Sequence, residues 1–230
     1  MSSTLATLLQ ESRQMLGDTA QSPIFSDAQV TAWINQAIRE LSLHFPRSAE
    51  DQIGTVAGQQ VYELEATHLA VLSAEYDAGN QTPPLFLKRK LHTLANFYRT
   101  EGYYDFVKPA DADTANPPLL YISTNPAQDG IVIALRLNVE HNPLSAAQDE
   151  CTLPERLLPV LHQYVRWLAW QELAVKEGRY PSELATLSYS QEMNAGRAER
   201  SYRAALKEAQ RAESESAALV WEGMDRFDRR

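Results

Sequence analysis

The side chains of this 230-residue chain best suited to acid–base, metal or nucleophilic chemistry are its carboxylates, five histidines and one cysteine. Carboxylates cluster as Glu50-Asp51, Glu63 with Glu65, Asp111 with Asp113, and Asp149-Glu150. Two carboxylates held at a suitable separation could run general acid–base or glycosidic chemistry. All four clusters fall in segments that read as loops and turns, where solvated charge is the ordinary role. His44, His68, His92, His141 and His162 are too scattered for a local metal motif, and His44 and His162 sit on predicted helices, where a lone imidazole is structural. Cys151 excludes an internal disulfide and a multi-thiolate zinc site; it reads as a small buried hydrophobe beside a helix start. There is no glycine-rich phosphate loop, nucleophile elbow or dinucleotide fingerprint, and nine glycines leave little room for one. These residues therefore predict no enzyme, no catalytic residue, no metal site and no cofactor.

Charge narrows the partners. Residues 1–150 hold 18 acidic and 9 basic side chains, whereas residues 151–230 hold 12 of each, so the net charge of -9 belongs to the first part. Phosphate neutralisation needs a basic field, so the balance disfavours tight nucleic-acid binding. Lys88-Arg89-Lys90, the one basic run of that part, reads as a solvating cluster at a strand end. No run approaches the roughly 20 apolar residues of a membrane helix, and no signal-type segment opens the sequence; a soluble product made in the cytoplasm is expected.

The elements that would position these groups follow from periodicity. Ser3 to Leu16 predicts a helix ended by Gly17. Phe25 to Pro46 predicts a second, with Ser26 and Gln29 at capping-box spacing and Val30, Trp33, Ile34, Ala37, Ile38 and Leu41 on one face. That face is the expected core scaffold. Two short strands around a turn follow, from Ile53 to Val56 and from Val61 to Leu64. Further strands are predicted at Val71–Tyr76, Leu85–Leu87, Leu119–Ser123 and Ile131–Leu137. Between them, Lys90 to Thr100 has helical spacing, and Asp105 to Pro118 reads as a long loop. Thr152 and Glu155 have capping-box spacing, while Pro159 demands either a separate short turn or a kink. Val160 to Lys176 is apolar on more than one face, Gly178 ends that helix, and Pro181-Ser182 opens a charged one running to about Glu215. On it, Glu199 and Arg203 form an attractive i, i+4 pair.

The expected class is α+β, a helical core with long C-terminal helices and an inserted antiparallel β block. The divisions are 1–50 with 142–216 for the helical core, 51–141 for the β-rich insertion and 217–230 for a C-terminal arm. In the arm, Leu219, Val220, Trp221, Met224 and Phe227 are interleaved with charge, the pattern of an anchor peptide that orders on a partner.

The order of these parts over residues 1–211 resembles the head-tail adaptor, or connector, proteins of tailed bacteriophages. The likeness is carried by Phe25-Ser26-Asp27-Ala28-Gln29 followed by Trp33 to Leu41, by Gly58-Gln59-Gln60-Val61-Tyr62-Glu63-Leu64, and by Leu153-Pro154-Glu155-Arg156. The resemblance implies a structural virion protein at the head-tail junction, self-assembled into a ring of commonly twelve copies. Such a ring sits below the portal protein, extends the DNA channel and offers a platform to tail proteins (nozzle, hub or fibres). It also implies that DNA passes without specific binding and that the terminal arm reaches the portal. Two other readings stay open on the residues alone: a soluble carboxylate-dependent hydrolase, and a non-viral scaffold that binds its partner through the C-terminal tail.

Overall fold

The computed structural model describes residues 3–19, 23–177 and 185–227, with side chains omitted at 176–177, 185–191 and 215–227. Two compact units emerge, residues 1–44 with 141–230, and residues 45–140. The class is α+β, with an antiparallel β block inserted between N-terminal and C-terminal helices.

The first unit is built on α1 (Leu5–Leu16), α2 (Asp27–His44), α3 (Leu158–Glu177) and α4 (Ala185–Phe227). Thr4 caps α1, and Gly17 ends it at φ 70, with Gly17 N–H donating to Gln14 O and Asp18 N–H to Arg13 O. This paired closure needs a left-handed residue, which glycine supplies without a Cβ clash. Arg13 then staples the following turn: its guanidinium reaches Asp18 at 2.8 Å, Asp27 at 2.5 Å and the carbonyl of Phe25 at 2.9 Å. The capping box of α2 is reciprocal, Gln29 N–H donating to Ser26 Oγ and Ser26 N–H to Gln29 Oε1. The three-and-four face of α2 is buried from Val30 to Leu41, and each large side chain there contributes about 1.5–3 kcal/mol. α3 packs on α1, α2 and α4 together, which explains its apolar surface on more than one side.

The second unit holds two sheets. One runs β1 (Arg47–Gly54), β8 (Val132–Val139), β3 (His68–Tyr76), β4 (Leu85–Phe86); the other runs β2 (Val61–Glu63), β7 (Leu119–Ile122), β6 (Tyr103–Val107), β5 (Lys88–Arg89). All pairings are antiparallel except β5 with β6. Alternate residues of β8, namely Ile133, Leu135, Leu137 and Val139, point into a core shared with Tyr62, Tyr104, Leu120 and Ile122 of the other sheet. Tyr104 crosses that core to donate its hydroxyl to Val71 O at 3.3 Å.

Several elements depart from their sequence signals. The strands flanking Gly58 are not a hairpin: β1 pairs with β8 and β2 with β7, so the turn is a corner between sheets, with Gly58 at φ 77. Lys90 to Thr100 is a series of turns, because Asp105 Oδ2 takes both the backbone N–H (2.9 Å) and Nδ1 (2.8 Å) of His92 and fixes a non-helical start. Asp105 itself belongs to β6 rather than to a loop and is 2% exposed. Thr152 does not cap the helix after it, since its hydroxyl is engaged with His141 Nδ1 at 2.9 Å. A separate 3-10 turn at Glu155–Leu157 precedes α3, leaving Pro159 in the first helical turn, where its missing N–H costs nothing. The final helix does not stop near Glu215; α4 continues to Phe227. The expected breaks at Gly178 and Pro181-Ser182 lie outside the described residues.

Candidate assembly surfaces

The most catalytic-looking geometry joins α1 to α3. Ser12 Oγ lies 3.1 Å from His162 Nδ1, and Glu11 Oε2 lies 3.0 Å from His162 Nε2, a hydroxyl, imidazole and carboxylate in line. Nucleophilic catalysis needs that hydroxyl open to a substrate. Ser12 is 1% exposed beneath the packed helices, so the trio is a polar strut. His141 likewise serves the 141–152 loop, and His44 shares a contact with Gln210 of α4 at 3.2 Å. Burial pushes the Cys151 thiol up, which keeps it protonated and unreactive.

The carboxylate clusters are dispersed. Glu50 and Asp51 are on β1, Glu63 and Glu65 at the edge strand β2, and Asp111 and Asp113 in the loop before β7. Asp149 accepts from the N–H groups of Ala146 (2.8 Å) and Ser145 (2.7 Å) and closes a turn; those bonds hold its carboxyl below the usual range. No group of three or more histidine, cysteine or acidic side chains could hold a metal ion among the described residues. Lys88 and Arg89 form the exposed edge strand β5, and Lys90 Nζ rests 4.4 Å from the ring centre of Tyr103.

What the helical unit builds instead is an antiparallel helical hairpin with a narrow aromatic seam. The rings of Tyr164 and Tyr202 meet edge to face at 4.9 Å, and Trp167 stacks on Tyr202 at 5.8 Å. Further along, Arg156 and Glu213 form an ion pair. With Glu213 beside the start of α3, the stretch from Ser214 to Phe227 carries α4 about 20 Å past it, at 1.5 Å per residue. Leu219, Val220, Trp221, Met224 and Phe227 are all on this extension, and their side chains lie outside the described residues. Near the other end of the hairpin, Trp33, Leu168, Ala174 and Ala195 line an open groove beside Val175, which is 57% exposed. In the β unit, Phe86, Leu91, Leu94 and Tyr98 are exposed.

Val30, Trp33, Ile34, Ile38 and Leu41 are gathered on the buried inner face of α2, and of these five Trp33 reaches the open groove. Two features carried no sequence signal strong enough to single them out. Asn35, on the same helix, donates Nδ2–H to Leu144 O and accepts from Leu144 N–H, both at 2.8 Å, clamping the incoming loop. Tyr202, on the charged last helix, is the hub of the hairpin. Its buried hydroxyl has no hydrogen-bond partner among the described residues, and burial pushes its ionisation far up.

Ser12 is enclosed beneath the packed helices, the carboxylates named above are dispersed, and α3 and α4 form a long helical hairpin. The chain belongs to the SU10 adaptor protein family, whose sequence model matches residues 3–221. It is thus a bacteriophage head-tail adaptor, a structural protein of virion assembly at the head-tail junction and not an enzyme. Among curated proteins, none matches the chain.

Proposed function

We propose that this adaptor forms a ring, commonly of twelve copies, below the portal protein, where it extends the DNA channel and presents a platform to tail proteins (a nozzle or hub, and fibres where the tail carries them). The family match over residues 3–221 is the observation that carries this reading. A closing ring uses two different patches on each subunit, and a protein with separate helical and β units offers them naturally. The acidity of residues 1–150 favours DNA passage without adhesion, because fixed negative charge repels the phosphate backbone.

The helical core (1–50 with 142–216) would carry the insertion (51–141), and residues 217–230 would be the arm that engages the portal. Val220, Met224 and Phe227 recur at i, i+4 and i+7 on a helical backbone, the spacing with which an amphipathic helix fills an apolar groove. Repetition around a ring would make a weak arm contact strong through avidity. The test mixes purified portal rings with the full chain and with a chain lacking residues 217–230, then images both. Ring-shaped density under the portal is expected only with the full chain. Equal decoration by the truncated chain would remove the arm from the account, and absence of any ring with either would remove the ring.

A further inference from the structure

The outer face of α4 is more ordered in charge than its composition suggests. Ala198 and Tyr202 are buried, with Ala205, Leu206 and Ala209 half-buried beside them. At 100° per residue these mark the inner face, and Arg197, Arg200, Arg203, Lys207 and Arg211 fall on the opposite side, all exposed. The stripe is about 21 Å long, from the 1.5 Å rise per residue. Arg203 is paired with Glu199 at 2.6 Å, whereas Arg197, Arg200 and Lys207 have no ion-pair partner among the described residues.

We propose that this stripe docks on the acidic β unit of a second copy of the chain. Residues 45–140 contain 12 acidic and 7 basic side chains, so every copy brings the complement at the same concentration. The exposed carboxylates most apt to receive it are Glu63 on the edge strand β2 and Glu65 just after it, with Asp111 and Asp113 close by. That proximity follows from the backbone: Leu64 N–H donates to Pro118 O, at the end of the loop that Asp111 and Asp113 organise through Asn116. Duplex DNA is the less suitable occupant. Glu199 and Glu208 flank the stripe, and the chain as a whole repels phosphate at a net -9. A contact between two unlike patches is the kind that closes a ring, so the inference deepens the ring reading and rests on it.

The experiment uses two charge-reversed full-length chains. One carries Arg197→Glu, Arg200→Glu and Lys207→Glu; the other carries Glu63→Lys and Glu65→Lys. All positions are exposed, and unchanged helix content with an unchanged melting temperature establishes that both fold. In sedimentation velocity at low salt, each variant alone is expected to self-associate roughly tenfold or more weakly than the wild type, since like charges then face each other. An equimolar mixture is expected to recover association, because the basic stripe of the second variant meets the unaltered acidic patch of the first, and the reversed surfaces match too. Wild-type self-association by the stripe variant would overturn the inference while leaving the ring intact. Failure of the mixture to recover would overturn it as well. A stripe variant that loses only DNA retention would reassign the face to nucleic acid, and a wild type monomeric at every salt would overturn this contact, the ring being judged separately on the portal.

Discussion

Helices α2 and α4 belong to the same unit and obey the same periodicity, yet they do opposite work. α2 buries six apolar positions from Val30 to Leu41 and leaves Ala28, Ala32, Gln36, Arg39 and Leu43 exposed on its other side. α4, among its described side chains, buries only Ala198 and Tyr202, keeps a basic outer face, and outruns α3 by about 20 Å. The width of the apolar stripe decides the difference. A wide stripe loses too much hydration free energy if uncovered, so it becomes core, while a narrow seam leaves most of the helix surface available.

The contrast breaks if the two helices respond alike to truncation. Trp33→Ala is expected to cost about 3–5 kcal/mol in denaturant unfolding, because the ring is buried and packs edge to face on Phe25 at 4.9 Å. A variant of normal stability that fails only in assembly would show that α2 faces a neighbour after all. Next in size is Asn35→Ala, which strips the partners from both backbone groups of Leu144; about 1–3 kcal/mol should be lost. A change within about 0.5 kcal/mol would mean that water replaces the clamp.

The β unit should be set apart from both helices by pH. His68 is buried with Nδ1 unpartnered among the described residues, and burial lowers its proton affinity, only partly offset by Asp51 and Glu65. The unfolded chain therefore takes up the proton first as pH falls below about 6.5, so stability is full above that value and declines through the interval down to the folded-state value. Urea midpoints should fall on acidification, and His68→Leu should flatten that slope; an unchanged slope would assign the acid sensitivity to other groups. The smallest effect is expected at Tyr202→Phe. Removing a buried hydroxyl that has no partner among the described residues should leave stability unchanged or raise it by up to about 1 kcal/mol, whereas a loss above that would reveal a further partner for the oxygen.

Legibility followed the range of the interaction. The capping box of Ser26 and Gln29, the left-handed stop at Gly17 and the alternation of β8 are set by residues within one or two turns of one another, and they read directly. Lys90 to Thr100 misled because a short apolar pattern cannot pay the cost of helix nucleation by itself. Asp105, which reaches back to His92, decides that segment instead. The hairpin expected around Gly58 misled for the same reason, since two adjacent strands joined different sheets once β7 and β8 were available as partners. Of the candidate surfaces, the arm was visible as apolar residues among charges, whereas the basic face of α4 was not singled out. Five basic residues in a mixed run declare themselves only when the buried side of the helix is known.

The sequence alone determined the α+β division, the helix that makes the core, the absence of a catalytic signature and the resemblance that family membership bears out. Periodicity, caps and composition are local, and they suffice for that. Only the tertiary structure decided that buried Ser12 and His162 join surface Glu11 in a polar strut, that Asn35 clamps a loop more than a hundred residues away, and that α4 carries its charge in one stripe. Each of those depends on which distant groups share a space. The chain records such neighbours only through packing, because burial and hydrogen-bond partnership are properties of the folded arrangement and not of any one segment.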